Sequence, residues 1–269
     1  MLQENNLEKL GIIVESGTGH LRYASHFTPL KLSCSLIFVR HGETYGNCGQ
    51  SLNNATINKK MVTIGVKNHE HRIYQGNVDE EINQLTTFGQ QQAEEVALKI
   101  EKNFFHQGWE PDAILHSPLS RAKETGIPLI QRNNLWDRFH VNNKIREMSF
   151  GAWDNRRICD IPADDSCHLF YKDQNSLVKK SGVNGNNVYQ EGENFCEVIV
   201  RANQALQEIN HLYTRKRVIL FSHSMFGAAC LILLGKAQKI ECDDYLAFDG
   251  KRNDGTHYAM PHAEPFILT

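Results

Sequence analysis

Three stretches of this 269-residue chain carry an apolar run into residues able to do chemistry. "LIFVRHGE" closes on Arg40 and His41, "AILHSPLSRAKETG" leads to Arg121, and "RVILFSH" stops at His223. Each run is short and apolar, the pattern of a strand buried on both faces. In an open α/β sheet, parallel strands deliver their carboxyl ends to one edge, and ligands bind in the crevice there. Two arginines and two histidines gathered at that edge make an anion site, because the guanidinium fork matches the oxygens of a phosphate. Taken singly, each has a structural explanation: Arg-His ends many surface strands, Arg121 reads as a solvated helix residue and His223 as a core histidine. Their joint placement at three strand ends favours a site.

The elements that must position these residues alternate between strand-like and helix-like patterns, which predicts an α/β fold with a parallel or mixed sheet. Residues 35–39 read as the first central strand, 113–117 as another and 217–223 as a third. Thr87 and Gln90 have capping-box spacing, followed by an apolar stripe of Ala93, Val96, Ala97 and Ile100. Ser117 and Pro118 are placed to open the helix that carries Arg121. Residues 195–213 form the clearest helix, "MFGAACLILLG" predicts another ending near Gly235, and residues 265–268 suit a last strand. The first 33 residues read as an N-terminal extension. Residues 34–269 read as one domain with insertions at about 48–73 and 172–190, the second rich enough in Gly and Asn to suggest mobility.

Composition narrows the function classes. A formal net charge of −2 argues against a generic nucleic-acid binder. No stretch approaches the roughly 18 apolar residues of a membrane helix, and the N-terminus shows no signal-peptide pattern. Seven scattered cysteines without C-x-x-C spacing suit a reducing compartment, hence the cytoplasm. Nothing specifies an oligomeric state.

The ordered set of motifs resembles the histidine phosphatase superfamily, the phosphoglycerate mutase-like proteins. "RHGETYGN" is similar to the opening R-H-G signature, "YQGNVDEEINQLTTFGQQQA" to the segment after it, and "SPLSRAKETG" to the arginine-bearing helix. "REMSFGAWDN" resembles the segment of the acidic catalyst, "EGENFCEVIVRA" the G-E-[ST] helix start, and "LFSHS" the second histidine motif. Asn194 stands where the family usually has Ser or Thr, and Gly126 where Ala is common.

The resemblance implies a three-layer α/β/α sandwich with a mostly parallel central sheet. It implies His41 as a nucleophile forming a phosphohistidine, with Arg40, Arg121, His223 and Asn47 binding the phosphoryl oxygens. Glu147 takes the position of the general acid, its pKa raised by burial beside Phe150 and Trp153; Glu43 is the other carboxylate near the loop. No cofactor and no metal are expected, although His69 and His71 in "NHEHR" have the types and spacing for a weak zinc site. The expected activity is a metal-independent phosphomonoesterase acting on a small phosphate ester. A cofactor-dependent mutase and a non-catalytic phospholigand-binding protein are the alternatives. The mutase is disfavoured because Met148, Ser149, Phe150 and Gly151 follow the acid instead of basic residues, with Lys179 and Lys180 as the reservation.

Overall fold

The computed structural model describes residues 2–48, 72–240, 244–248 and 260–269. The first insertion, with His69 and His71, therefore lies almost wholly outside the described residues. Strands β1 (Ile12–Val14) and β2 (Leu21–Tyr23) form an N-terminal hairpin after helix α1 (Leu2–Lys9). The central sheet uses β3 (Ser35–Arg40), β4 (Ala113–His116) and β5 (Phe139–Val141), with two later strands. Between them run α2 (Tyr45–Cys48), α3 (Thr87–Asn103) and α4 (Ser120–Asn133). Then follow α5 (Cys167–Lys172), a hairpin of β6 (Gly182–Val183) and β7 (Tyr189–Gln190), and α6 (Phe195–Leu212). Strand β8 (Arg217–Ser222), α7 (Ser224–Leu233), the short β9 (Lys239–Ile240) and β10 (Tyr245–Leu246), and β11 (Pro265–Ile267) complete the chain.

The sheet order is β11-β3-β8-β4-β5, with only β11 antiparallel. Strand alternation explains why it is covered on both faces. Leu36, Phe38, Leu115, Val218 and Leu220 join one buried cluster with Val198, Ile199, Leu206 and Ile209 of α6. Their neighbours Ile37, Val39, Ile114, Ile219 and Phe221 join a second cluster with Val96, Ile100, Leu129 and Ile130 of α3 and α4. Side chains of period two therefore feed two cores, giving the three-layer sandwich with a mostly parallel sheet. Gly126, in α4, suits this packing, since a Cβ there would come 3.0 Å from the Phe221 ring.

The N-terminal segment is built into the first core. Leu7, Ile12 and Leu21 are almost fully buried within it. Leu21→Ala is expected to cost about 2–5 kcal/mol, the usual range for deleting a buried leucine side chain. Urea denaturation would check this through a lower midpoint at unchanged slope.

Several local expectations are corrected. The cap of α3 is Thr86, whose hydroxyl accepts from Gly89 N at 2.9 Å, not Thr87. Thr86 prevails because its hydroxyl also reaches the Glu43 carboxylate at 3.1 Å, tying the helix start to the loop after β3. Helix α4 begins at Ser120, later than Ser117–Pro118 predicts; Ser117 is committed elsewhere, and Ser120 binds Asp79. Segment 172–190 is ordered by the β6–β7 hairpin, by Asn184 bonding across its turn, and by Ala152 N donating to Lys180 O. Asn194 caps α6 as Ser or Thr would, in a reciprocal box with Glu197.

Candidate active site

The carboxyl ends of β3, β8 and β4 lie side by side, so the three motifs meet. His41 N donates to Ser222 O at 3.0 Å and Ser117 N to Phe221 O at 3.0 Å, which locks the strand ends together. Gly42 is needed where the chain leaves β3, because a Cβ would come within 2.6 Å of the Gly89 carbonyl oxygen at the start of α3.

His41 is only 3 % exposed. Its Nδ1 lies 2.8 Å from Gly42 O. A carbonyl only accepts, so Nδ1 carries the proton and Nε2 keeps a lone pair. Burial holds the imidazole well below its ordinary pKa, assisted by Arg121, His223, Arg40 and His262. The group is thus neutral near pH 7 and has one fixed tautomer, the state needed to attack phosphorus.

His223 sits tilted against His41 with ring centroids 5.2 Å apart. Its Nε2 is 2.8 Å from Ser117 Oγ. A Ser117 hydroxyl donating to Nε2 puts the proton of the neutral ring on Nδ1, which has no hydrogen-bond partner. Burial and then Arg121 and Arg40 depress His223 also.

Arg121 is fully buried and is held by Gly76 O at 2.7 Å and Val78 O at 3.0 Å. Arg40 donates to Met260 O at 2.7 Å. Burial lowers each to about 10, still protonated at neutral pH. Among the described residues, Nε of Arg40, of Arg121 and of a third arginine, Arg72, are buried without a partner. Unpaired buried donors are costly and rare; Arg40 and Arg72 line one crevice with His41, and the Arg121 charge also bears on that histidine, which marks an anion site.

Asn47, in α2, accepts from Thr44 N at 2.8 Å, and its Nδ2 lies 3.5 Å from His262 Nε2. His262 Nδ1 in turn donates to the His41 carbonyl at 2.9 Å.

Glu147 is 3 % exposed and stands at the N-terminus of α7. Its Oε1 accepts from Met148 N at 2.8 Å, and its Oε2 lies 3.3 Å from the Ser224 hydroxyl and 3.4 Å from Met225 N. Burial raises its pKa, opposed by Met148 N, Arg121, Met225 N and Arg40. Phe150 borders the same crevice, whereas Trp153 points elsewhere, donating to Asp165. Glu43 is instead tied to Thr86 and is not part of the crevice wall.

Two supporting groups hold the Glu147 segment. Asp154 accepts from Gly76 N at 2.7 Å and Phe150 N at 3.0 Å, joining the Arg121 support to the Glu147 loop. Burial pushes its pKa up to about 7 despite those bonds and Arg121. Its raised affinity for the proton favours the folded state fully below the ordinary carboxylate pKa, and the contribution is lost as pH rises through about 7. Behind the acid, Glu193 pairs with Arg146 and Arg201 and accepts from Ser149 N, while Arg201 donates to the carbonyls of Lys144 and Arg146.

The crevice encloses about 160 Å³ and is lined by Arg40, His41, Asn47, Glu147 and Phe150, with Arg72, Gln75 and Tyr171 among the rest. Sequence reasoning missed Arg72, Tyr171, Ser224, His262 and Asp154. For His262 a signal existed: it stands three residues before the edge strand β11. Lys179 and Lys180 do not reach the crevice; they pair with Glu197 and Asp165. Among the described residues no cluster of His, Cys, Asp and Glu suits a metal ion.

The sequence matches the model of the histidine phosphatase superfamily (branch 1) over residues 36–250. It is 34% identical to a mannitol-1-phosphatase of Eimeria tenella, over 97% of this chain and 82% of that protein. The fold is similar to a mycobacterial glucosyl-3-phosphoglycerate phosphatase, with TM-score 0.51 and 22% identity over 74% of this chain and 79% of the other. It is also similar to a phosphoserine phosphatase mutant of Entamoeba histolytica in complex with phosphoserine, with TM-score 0.50 and 19% identity over 88% and 95% of the two chains. With the family model spanning most of its length, the chain belongs to branch 1 of the histidine phosphatase superfamily.

Proposed function

We propose that this chain is a metal-independent phosphomonoesterase that passes the phosphoryl group of a small metabolite through His41 to water. The observation that carries the reading is His41 Nδ1 held 2.8 Å from the Gly42 carbonyl, which leaves Nε2 its lone pair, with buried arginine and histidine nitrogens nearby that lack partners among the described residues. His41 Nε2 attacks phosphorus in line with the leaving oxygen. Arg40, Arg121, His223 and Asn47 hold the equatorial oxygens as charge builds. Glu147 protonates the leaving oxygen, and its carboxylate then activates the water that releases phosphate.

The 34% identity to a mannitol-1-phosphatase makes a polyol phosphate the first substrate class to test. Hydrolysis is favoured over mutase chemistry because Lys179 and Lys180 are occupied in surface pairs, so they supply no carboxylate site over the nucleophile. Residues 34–269 are read as one catalytic domain with residues 1–33 as its buttress. Cysteines scattered without C-x-x-C spacing accord with a cytoplasmic setting.

The test is a panel of mannitol 1-phosphate, an aryl phosphate and 3-phosphoglycerate with a bisphosphoglycerate primer, followed for phosphate release and isomerisation. Phosphate release faster than isomerisation is expected, and the reverse would make the enzyme a mutase. Activity should also survive a chelator, since the arginines provide the positive charge. Loss with EDTA and rescue by one divalent metal would sink the metal-independent mechanism.

A further inference from the structure

We infer that Arg72 and Tyr171 form a leaving-group subsite that reads a polyhydroxylated carbon chain; this rests on the phosphatase reading and names its substrate class. Arg72 and Tyr171 line the same crevice as Arg40, His41 and Glu147. With the phosphate held against His41 and Arg40, the ester's organic part extends along the remaining wall, where these two side chains stand.

The chemistry of that wall suits hydroxyls and C–H faces. Arg72 is half-buried, and among the described residues its Nε has no hydrogen-bond partner. Its planar fork can donate to a pair of neighbouring hydroxyls. Tyr171 continues an aromatic wall, with ring centroids 5.3 Å from Tyr74 and 6.3 Å from Phe150. Such faces cover the apolar edges of a polyol, as mixed apolar and polar linings do in small-molecule pockets.

The wall is preorganised, because α5 is anchored at both ends. Asp165 accepts from Trp153 Nε1 and Cys167 N on one side. On the other, the N-terminal hairpin holds the chain through Ser176 N and Oγ donating to Gly19 O and the His20 ring bonding Asp173 O. A ring fixed before binding loses little freedom on contact.

An anionic leaving group would also suit Arg72 alone, but Glu147 stands in the same crevice and ionises when it gives up its proton. A second carboxylate there would be repelled at the moment of bond cleavage. A neutral polyol avoids that cost.

The experiment compares kcat/KM for mannitol 1-phosphate, p-nitrophenyl phosphate and 3-phosphoglycerate in the parent protein and in Arg72→Met, Arg72→Lys, Tyr171→Ala and Tyr171→Phe. Circular dichroism and thermal midpoints identify variants that fold. The ratio of polyol to aryl phosphate should fall at least about tenfold in Arg72→Met, Arg72→Lys and Tyr171→Ala, mainly through KM, as for a lost hydrogen-bonding subsite. Tyr171→Phe, which keeps the ring, should keep most of the ratio. Equal losses on both esters, an unchanged ratio, or a larger loss on 3-phosphoglycerate than on the polyol phosphate would overturn the inference. A parent protein inactive on every ester would instead overturn the phosphatase reading beneath it.

Discussion

His41→Ala should lower phosphate release by about 10⁴-fold or more, because an essential nucleophile cannot be replaced by its neighbours. The parent should trap an acid-labile, base-stable phosphoryl group during turnover, and the variant none. The chain should stay folded for a specific reason. His41 is buried although it stands at a strand end. Yet among the described residues its ring hydrogen bond runs only to the carbonyl of the next residue, Gly42. Losing it costs about 1 kcal/mol, and the ring borders the crevice, so its removal widens that space and leaves no sealed void. A thermal midpoint within a few degrees of the parent would agree with this. Turnover persisting near the parent rate would remove His41 as the nucleophile.

The site's frame was legible because it depends on strand ends, and short continuous apolar runs mark those ends. The runs stop at Arg40, His116 and Ser222, and the parallel order of β3, β8 and β4 does the rest. What escaped lies in segments without period. Arg72 and Tyr171 enter the crevice from an irregular stretch and from a six-residue helix. Asp154 was visible in "GAWDN", but its bonds to Gly76 N and Phe150 N join residues 78 and 4 positions away. The caps failed where a tertiary contact outweighed local spacing. Thr86 captures the α3 start through Glu43, and Ser117 serves His223 instead of opening α4. In both cases a long-range hydrogen bond outweighed the local pattern.

Glu147→Gln should separate substrates by the proton their leaving groups need. An alkoxide leaving from a polyol phosphate must be protonated, and general acid catalysis is worth about 10²–10⁴-fold. Turnover of mannitol 1-phosphate should fall by that range. A nitrophenolate leaves without help, so His41 phosphorylation by p-nitrophenyl phosphate should stay fast in the variant. Glutamine cannot then activate water, and the phosphohistidine should accumulate. Rapid mixing should show a burst of nitrophenolate close to one per enzyme, followed by slow turnover. The pH dependence has a definite sign. Burial raises the Glu147 pKa, so its acid form persists further toward neutrality than for an ordinary glutamate. Parent activity on the polyol phosphate should fall as pH rises through that pKa, and the variant's small residual activity should lack this limb. Glutamine keeps the shape of the side chain and can still accept from Met148 N, as Oε1 does at 2.8 Å, so a loss of fold is not expected. Equal losses on both esters, with no burst, would assign Glu147 to binding or support and leave the proton donor to be found elsewhere in the crevice.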